Sequence, residues 1–146
     1  MLLKKAEKRH QLTTASYARL AAWRRTLRGF LRFSEEAAER VGLTSQHYPA
    51  MLALRACRDD RRLTIADLAQ ELLIKHNSAV GLVDRLVEQQ LVVREASSTD
   101  RRKVELRLST RGRQVLAKLA AVHRREVQRI GPVLERLVSE IRRSEP

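Results

Sequence analysis

A mainly α-helical chain carrying one small β-wing is the fold class this sequence predicts, and three observations predict it. Glycine and proline are scarce, 5 and 3 in 146 residues, too little punctuation for an all-β protein or a long linker. Apolar residues recur at helical spacing, most clearly at Ala79, Leu82, Val83 and Leu86. The period then changes. Val92 and Arg94, and the mirrored run Val104 to Leu108, form two short strands around a polar, basic tip, Ser97-Ser98-Thr99-Asp100-Arg101-Arg102-Lys103. A helix followed by a two-stranded ribbon with a cationic tip has the shape of a winged helix, which suits DNA: the helix fits the major groove and the tip reaches phosphates or a narrow minor groove.

The elements follow in order. From about Gln11 to Arg40, Tyr17, Leu20, Leu27, Phe30 and Leu31 make an apolar stripe with Trp23 beside it, while Arg19, Arg24, Arg25, Arg28 and Arg32 lie largely on other faces. That stripe meets a second subunit or folds back over its own core, and both can hold for different turns. Gly42 is a natural C-cap. Thr44 or Ser45 then caps a second helix reaching about Cys57, with Tyr48, Met51, Leu52 and Arg55 at helical spacing and Pro49 tolerated in the first turn. Residues 58–62 read as a charged loop, and Leu63 as a short edge strand beside the wing. Thr64 caps a third helix, whose Asp67 suits the positive helix end and whose Ile65, Leu68, Ala69 and Leu72 give a buried face. A tight turn leads to a fourth helix starting near Lys75 to Asn77, completing a helix-turn-helix. After the wing, Ser109 caps a helix from Thr110 to about Ile130. Gly131-Pro132 interrupts it, and a last helix carries Val133, Leu134, Leu137, Val138 and Ile141. One domain, 1–146, is expected, with a DNA-binding lobe over about 44–109. The helices over about 11–40 and 110–143 make a shared dimerisation bundle.

Charge and composition narrow the function. With 30 basic against 17 acidic residues, the formal net charge is +13. That favours a polyanionic partner, nucleic acid or an anionic membrane surface, over a solvated basic surface with no dedicated partner. The membrane reading is the weaker, because the basic residues are spread over several helices and not set opposite one broad apolar face. No stretch approaches transmembrane length, and Lys4-Lys5 follows Met1-Leu2-Leu3 at once, so a soluble, cytoplasmic protein is expected.

Cys57 is the single cysteine, which excludes an internal disulfide. Flanked by Arg55 and Arg58, it is a redox-sensor candidate or a buried structural thiol. His10, His47, His76 and His123 are scattered without paired ligand spacing, so no metal is expected, and no cofactor. There is no nucleophile elbow, phosphate-cradling glycine loop or apolar carboxylate pair, which speaks against an enzyme.

The fourth helix presents His76, Asn77, Val80, Gly81 and Asp84 away from its apolar stripe. Asn77 and Ser78 can bond base edges or phosphates, Val80 can touch a thymine methyl, and His76 can reach phosphate or base. Arg85 is read as a phosphate contact or as an ion-pair partner of Asp84 or Glu88. Arg101 and Lys103 supply phosphate contacts from the wing.

The order helix, helix, helix-turn-helix, wing, two terminal helices resembles the MarR family of bacterial transcription regulators. Leu63-Thr64-Ile65-Ala66-Asp67-Leu68-Ala69 looks like the family's entry into the helix-turn-helix. Residues 83–94, VDRLVEQQLVVR, look like its recognition helix running into the wing. Residues 100–112, DRRKVELRLSTRG, look like its wing, second strand and next helix start. The resemblance extends from about Tyr17 to Ile141. Gln90 stands where the family usually ends the recognition helix with glycine, Ser98 where the wing often has proline, and Gly81 where relatives often carry a longer side chain.

The resemblance implies a symmetric homodimer on a pseudo-palindromic double-stranded DNA site, with half-sites roughly 34–36 Å apart. It implies that Asp100 braces Arg102, which enters the minor groove, and that Thr64 lies at the DNA-facing start of the motif. It implies a transcriptional repressor of the bacterial nucleoid, released by an oxidant or by a small aromatic ligand held near Trp23, Phe30, His47, Tyr48 and Met51. Competing readings are a non-specific nucleic-acid-binding architectural protein and a partner-binding dimer that has lost DNA binding.

Overall fold

The computed structural model describes residues 12–57 and 61–143. Among the described residues, five helices and one hairpin follow in the order α1 (Thr14–Glu39), α2 (His47–Ala56), α3 (Ile65–Glu71), α4 (His76–Glu88), β1 (Val92–Ala96), β2 (Val104–Leu108) and α5 (Thr110–Arg143). The described chain falls into two compact units, residues 34–123 and an arm unit made of the segments before 34 and after 123. The predicted α-rich fold with a small wing is present. The start of the first predicted helix, Gln11, lies outside the described residues.

The lobe, 34–123, is built on one apolar core. Ala38, Ala50, Met51, Leu68, Leu82, Val83, Leu86, Leu91 and Val92 are almost fully excluded from solvent, and Leu106, Leu108, Leu116 and Leu119 close the layer around them. The stripe read from α4 is the stripe that is buried: Ala79, Leu82, Val83 and Leu86 face inward. His123 ties three elements of the lobe together. Its ring stacks on Tyr48 with centroids 3.8 Å apart, its Nδ1 donates to the Leu119 carbonyl (2.7 Å), and its Nε2 bonds the Ser34 hydroxyl (2.8 Å).

Three helix ends in the lobe, those of α1, α3 and α4, follow one rule. After α1, the Leu43 N–H donates to the Ala38 carbonyl and the Gly42 N–H to Glu39, with Gly42 at φ +77°. The same pair of bonds closes α3 (Ile74 to Ala69, Leu73 to Gln70) and α4 (Leu91 to Leu86, Gln90 to Val87). All three are Schellman motifs, which need a left-handed residue just past the helix. Glycine fills that place once. Leu73 (φ 54°) and Gln90 (φ 60°) fill it twice.

Two starts match the sequence reading and one does not. Thr64 caps α3 in a full capping box: its hydroxyl accepts from the Asp67 N–H (3.2 Å), and its own N–H donates to the Asp67 carboxylate (2.9 Å). Ser109 caps α5 by accepting from the Gly112 N–H (2.9 Å). Neither Thr44 nor Ser45 caps α2. The helix starts at His47 after Gln46 with no side-chain cap, and the His47 Nδ1 accepts from the Thr44 N–H (3.0 Å), which fixes the turn before the helix.

The arm unit contains the beginning of α1 and the end of α5. Thr13 caps α1 by accepting from the Ser16 N–H (3.1 Å). The expected interruption at Gly131-Pro132 does not occur, and α5 runs unbroken with Pro132 inside it. A proline there removes one helical N–H and crowds the preceding turn. Ile130 and Leu137, seven residues apart, are both buried, so one continuous helix keeps a single apolar face covered across the proline. Among the described residues no helix is long and apolar enough to cross a membrane.

Candidate nucleic-acid interface

The wing is a tight antiparallel hairpin in which Val92 pairs with Leu108, Arg94 with Leu106 and Ala96 with Val104. Leu106 and Leu108 point into the core. The Leu106 N–H also donates to the Leu63 carbonyl (2.9 Å), so Leu63 touches the sheet through one bond without forming a strand of its own. Register sets Glu95 directly opposite Glu105, an unfavourable like-charge pair. Arg107 and Arg62 both bond the Glu95 carboxylate and relieve it, with Arg107 Nε at 3.0 Å. The hydrogen bond from Arg107, with Arg62 adding to it, holds the Glu95 carboxyl below the usual carboxylate range.

The tip is ordered by its own side chains. Ser97 is buried, and its N–H donates to the Lys103 carbonyl (2.9 Å). The Ser97 hydroxyl accepts from the N–H groups of Thr99 and Asp100. Asp100 does brace Arg102, but through the backbone: its carboxylate accepts from the Arg102 N–H (3.0 Å). A carboxylate two residues upstream in a turn reaches the following amide more readily than an extended guanidinium. The arrangement leaves the side chains of Arg101, Arg102 and Lys103 exposed.

The helix-turn-helix brings three of the predicted residues to one place. Thr64, His76 and Lys103 line a cleft of about 500 Å³ together with Ile65, Asp67 and Val104. The cleft thus draws on the start of α3, the start of α4 and the tip end of the wing. Thr64 is committed to the capping box, so it builds the cleft wall. The bonds from the Thr64 backbone and hydroxyl hold the Asp67 carboxyl below its ordinary range, and the nearby Arg61 and Lys103 charges add to that. Val104, half-exposed on the outer face of β2, was not singled out from sequence. Its only signal was an apolar residue at the outward phase of the strand.

Asn77 and Ser78 are exposed on the first turn of α4, and Val80 and Gly81 are half-buried on the second. A Cβ at Gly81 would meet no atom of the chain within 4 Å, so nothing in the protein's own packing requires glycine there. Arg85 is exposed and pairs with neither Asp84 nor Glu88. Asp84 is taken instead by Arg94 of β1, an ion pair that fastens the wing to α4. Sequence spacing pointed to partners one turn along the helix, and the strand supplied a nearer one.

The residues proposed for a small ligand fall in both units. Trp23 and Phe30 are half-buried on α1 in the arm unit, whereas Met51 and His47 are buried in the lobe and Tyr48 is stacked on His123. His47 Nδ1 accepts a hydrogen bond, so the neutral ring carries its proton on Nε2, which is buried without a partner. Burial, and the charge of Arg85, push the His47 pKa down. Cys57 is partly exposed, and its thiol donates to the Arg61 carbonyl.

A helix-turn-helix fastened to a two-stranded ribbon, with exposed arginines at the ribbon's tip, defines a winged helix-turn-helix protein. Residues 41–103, which hold this motif and the wing tip, match the model of the MarR family. Among solved structures it is similar to AbsC, a MarR family transcriptional regulator from Streptomyces coelicolor, at 24% identity over 82% of this chain and 80% of that one, with a TM-score of 0.71. It is similar to MepR, a transcription regulator of the Staphylococcus aureus multidrug efflux pump MepA, at 16% identity over 90% and 96% of the two chains, with a TM-score of 0.69. A structure of S. aureus MepR in complex with DNA is similar at 16% identity over 83% of this chain and 86% of that one, with a TM-score of 0.68. At these identities the structural likeness is one of fold. No curated protein sequence matches the chain.

Proposed function

We propose that this chain is a sequence-specific DNA-binding transcriptional regulator, acting as a homodimer on a pseudo-palindromic operator and repressing the genes beside it. The observation that carries the reading is the cleft in which Thr64, His76 and Lys103 meet, with the exposed arginines of an ordered wing tip beside it. Asn77 and Ser78 bond base edges or phosphates from α4, Val80 touches a thymine methyl and Gly81 lets the helix backbone come close to DNA, while Arg85, Arg101 and Lys103 hold phosphates and Arg102 enters the minor groove. The net charge of +13 supplies the salt-sensitive, sequence-independent part of the affinity.

Dimerisation falls to the arm unit, where Tyr17, Leu20, Val127 and Val133 are exposed apolar residues that a second copy would cover. Release by a small aromatic ligand, or by oxidation of Cys57, would act by favouring a DNA-incompetent state. The protein works in the bacterial cytoplasm on the nucleoid.

The test is fluorescence anisotropy on DNA from upstream of the chain's own gene, against scrambled DNA, across a salt series. The reading expects a preference of about a hundredfold, ~2.7 kcal/mol, that Arg102→Ala largely removes. Equal and steeply salt-dependent binding to both DNAs would favour a non-specific architectural protein. No binding at low salt would sink the DNA reading.

A further inference from the structure

Five arginines converge on a second cavity that shares no lining residue with the cleft. It has a volume of about 470 Å³. Arg55 reaches it from the end of α2, Arg61 and Arg62 from the segment before α3, Arg107 from β2 and Arg113 from the first turn of α5. Leu54 and Leu106 give it apolar walls. Two features fix its rim. The Cys57 thiol donates to the Arg61 carbonyl, and Arg113 is held in place by donating to the Leu108 carbonyl (3.0 Å) and the Thr110 hydroxyl (3.1 Å).

Among the described residues, the charge lining this cavity is unbalanced. Arg62 and Arg107 share the Glu95 carboxylate. Among the described residues, Arg55, Arg61 and Arg113 form no ion pair. Guanidinium groups cannot shed their protons near neutral pH, so such a cluster keeps its charge whatever its surroundings. Planar five-donor groups converging from four segments match the acceptor geometry of phosphate or carboxylate oxygens. The net charge of the chain alone would spread arginines over its surface. It does not account for five of them around one partly apolar hollow.

We propose that this cavity is a binding site for a small multivalent anion, bearing phosphate or carboxylate groups, that is distinct from the DNA interface. The anion takes the donors of Arg55 and Arg61, bonds the free edge of Arg113, and competes with Glu95 for Arg62 and Arg107. Because Arg107 lies on β2 and Arg113 opens α5, occupancy bears on the base of the wing.

The experiment titrates inorganic pyrophosphate, and separately citrate, into the full-length protein by calorimetry, with ionic strength held constant by sodium chloride and no DNA present. The expected result is saturable binding by the wild type that weakens at least about tenfold, ~1.4 kcal/mol, in Arg55→Gln/Arg61→Gln. The wing variant Arg101→Gln/Lys103→Gln should bind the anion as the wild type does. Circular dichroism and the denaturation midpoint show that the variants fold, since neither Arg55 nor Arg61 contributes its side chain to a hydrogen bond or ion pair among the described residues. No saturable binding overturns the proposal. So does an equal loss in both variants, which would mean diffuse attraction to a basic chain. If Arg55→Gln/Arg61→Gln loses operator affinity and the wild type ignores both anions, the cavity is a DNA-phosphate contact and the proposal fails while the DNA reading stands.

Discussion

Replacing Leu73 by glycine should stabilise this protein. Leu73 is the left-handed residue of the Schellman motif that ends α3, at φ 54°, and its side chain is 93% exposed. An L residue in that region costs about 1–2 kcal/mol through the approach of Cβ to the following carbonyl. Glycine removes the cost but returns about 0.5–1 kcal/mol as extra freedom of the unfolded chain. Exposure means truncation forfeits almost no burial. The difference leaves a gain of about 0.5–1 kcal/mol, or roughly 1–4 °C in Tm for a chain of this size. Leu73→Ala keeps the Cβ and should change stability little. Leu73→Asn should fall between the two, because asparagine tolerates the left-handed region better. Urea denaturation followed by circular dichroism measures this as a shift in midpoint at constant slope. A glycine variant no more stable than the alanine variant would refute the reasoning, because the Cβ would then not be the source of strain.

Four further outcomes follow from particular contacts. A Cβ at Gly112 would lie 2.0 Å from the Leu91 carbonyl oxygen, so Gly112→Ala should cost roughly 3 kcal/mol or more and lower the urea midpoint sharply. Gly81→Ala meets open space and should gain about 0.5–1 kcal/mol of helix stability; a simultaneous fall in operator affinity by anisotropy would show that the helix backbone lies against DNA. The His47 pKa is depressed in the folded chain, so the unfolded chain takes up the proton first. Stability present above about pH 6.5 is therefore lost as pH falls below it, by up to about 1.4 kcal/mol per pH unit until the folded ring protonates. His47→Gln should flatten the urea midpoint between pH 7.5 and 5 relative to the wild type. Asp100→Ala removes the acceptor for the Arg102 N–H and should weaken operator binding about tenfold, ~1.4 kcal/mol, while thermal stability moves by less than about 0.5 kcal/mol.

What was legible in the sequence was what local chemistry decides. Gly42, Thr64 and Ser109 carry turn and cap signals that name their own positions, and each does what its residue type predicts. The apolar stripe of α4 and the alternation of β2 fix which faces are buried, because helical and strand periods leave only one way to hide those residues. Where the reading failed, tertiary contacts outweighed local signals. Leu73 gives no hint of a left-handed turn; its conformation is set by where α3 must stop for α4 to begin. Pro132 reads as a helix start, yet the buried faces of Ile130 and Leu137 keep α5 whole. The arginine-lined cavity was invisible because its members lie in four segments, brought together only when α2, β2 and α5 pack.

The wing's attachments bear on how salt dependence should be interpreted. Arg94 and Asp84 join it to α4, and Glu95 joins it to Arg62, all through half-exposed side chains. Pairs of this kind contribute about 0–1 kcal/mol and weaken in salt. The base of the wing is held differently. The Ser109 N–H donates to the Leu91 carbonyl (2.9 Å), its hydroxyl donates to the Gln90 carbonyl (2.6 Å), and the Gly112 backbone lies directly against Leu91. These contacts involve neutral groups, which salt in the range of a binding assay does not screen. The ion pairs therefore set the angle of the ribbon, and the backbone contacts set its position. If operator affinity collapses between low and physiological salt, the cause lies in released phosphate contacts, since the base of the wing stays in place. Asp84→Asn separates the two contributions. It frees Arg94 and loosens the angle without touching the base, so it should lower sequence preference more than it lowers affinity for scrambled DNA.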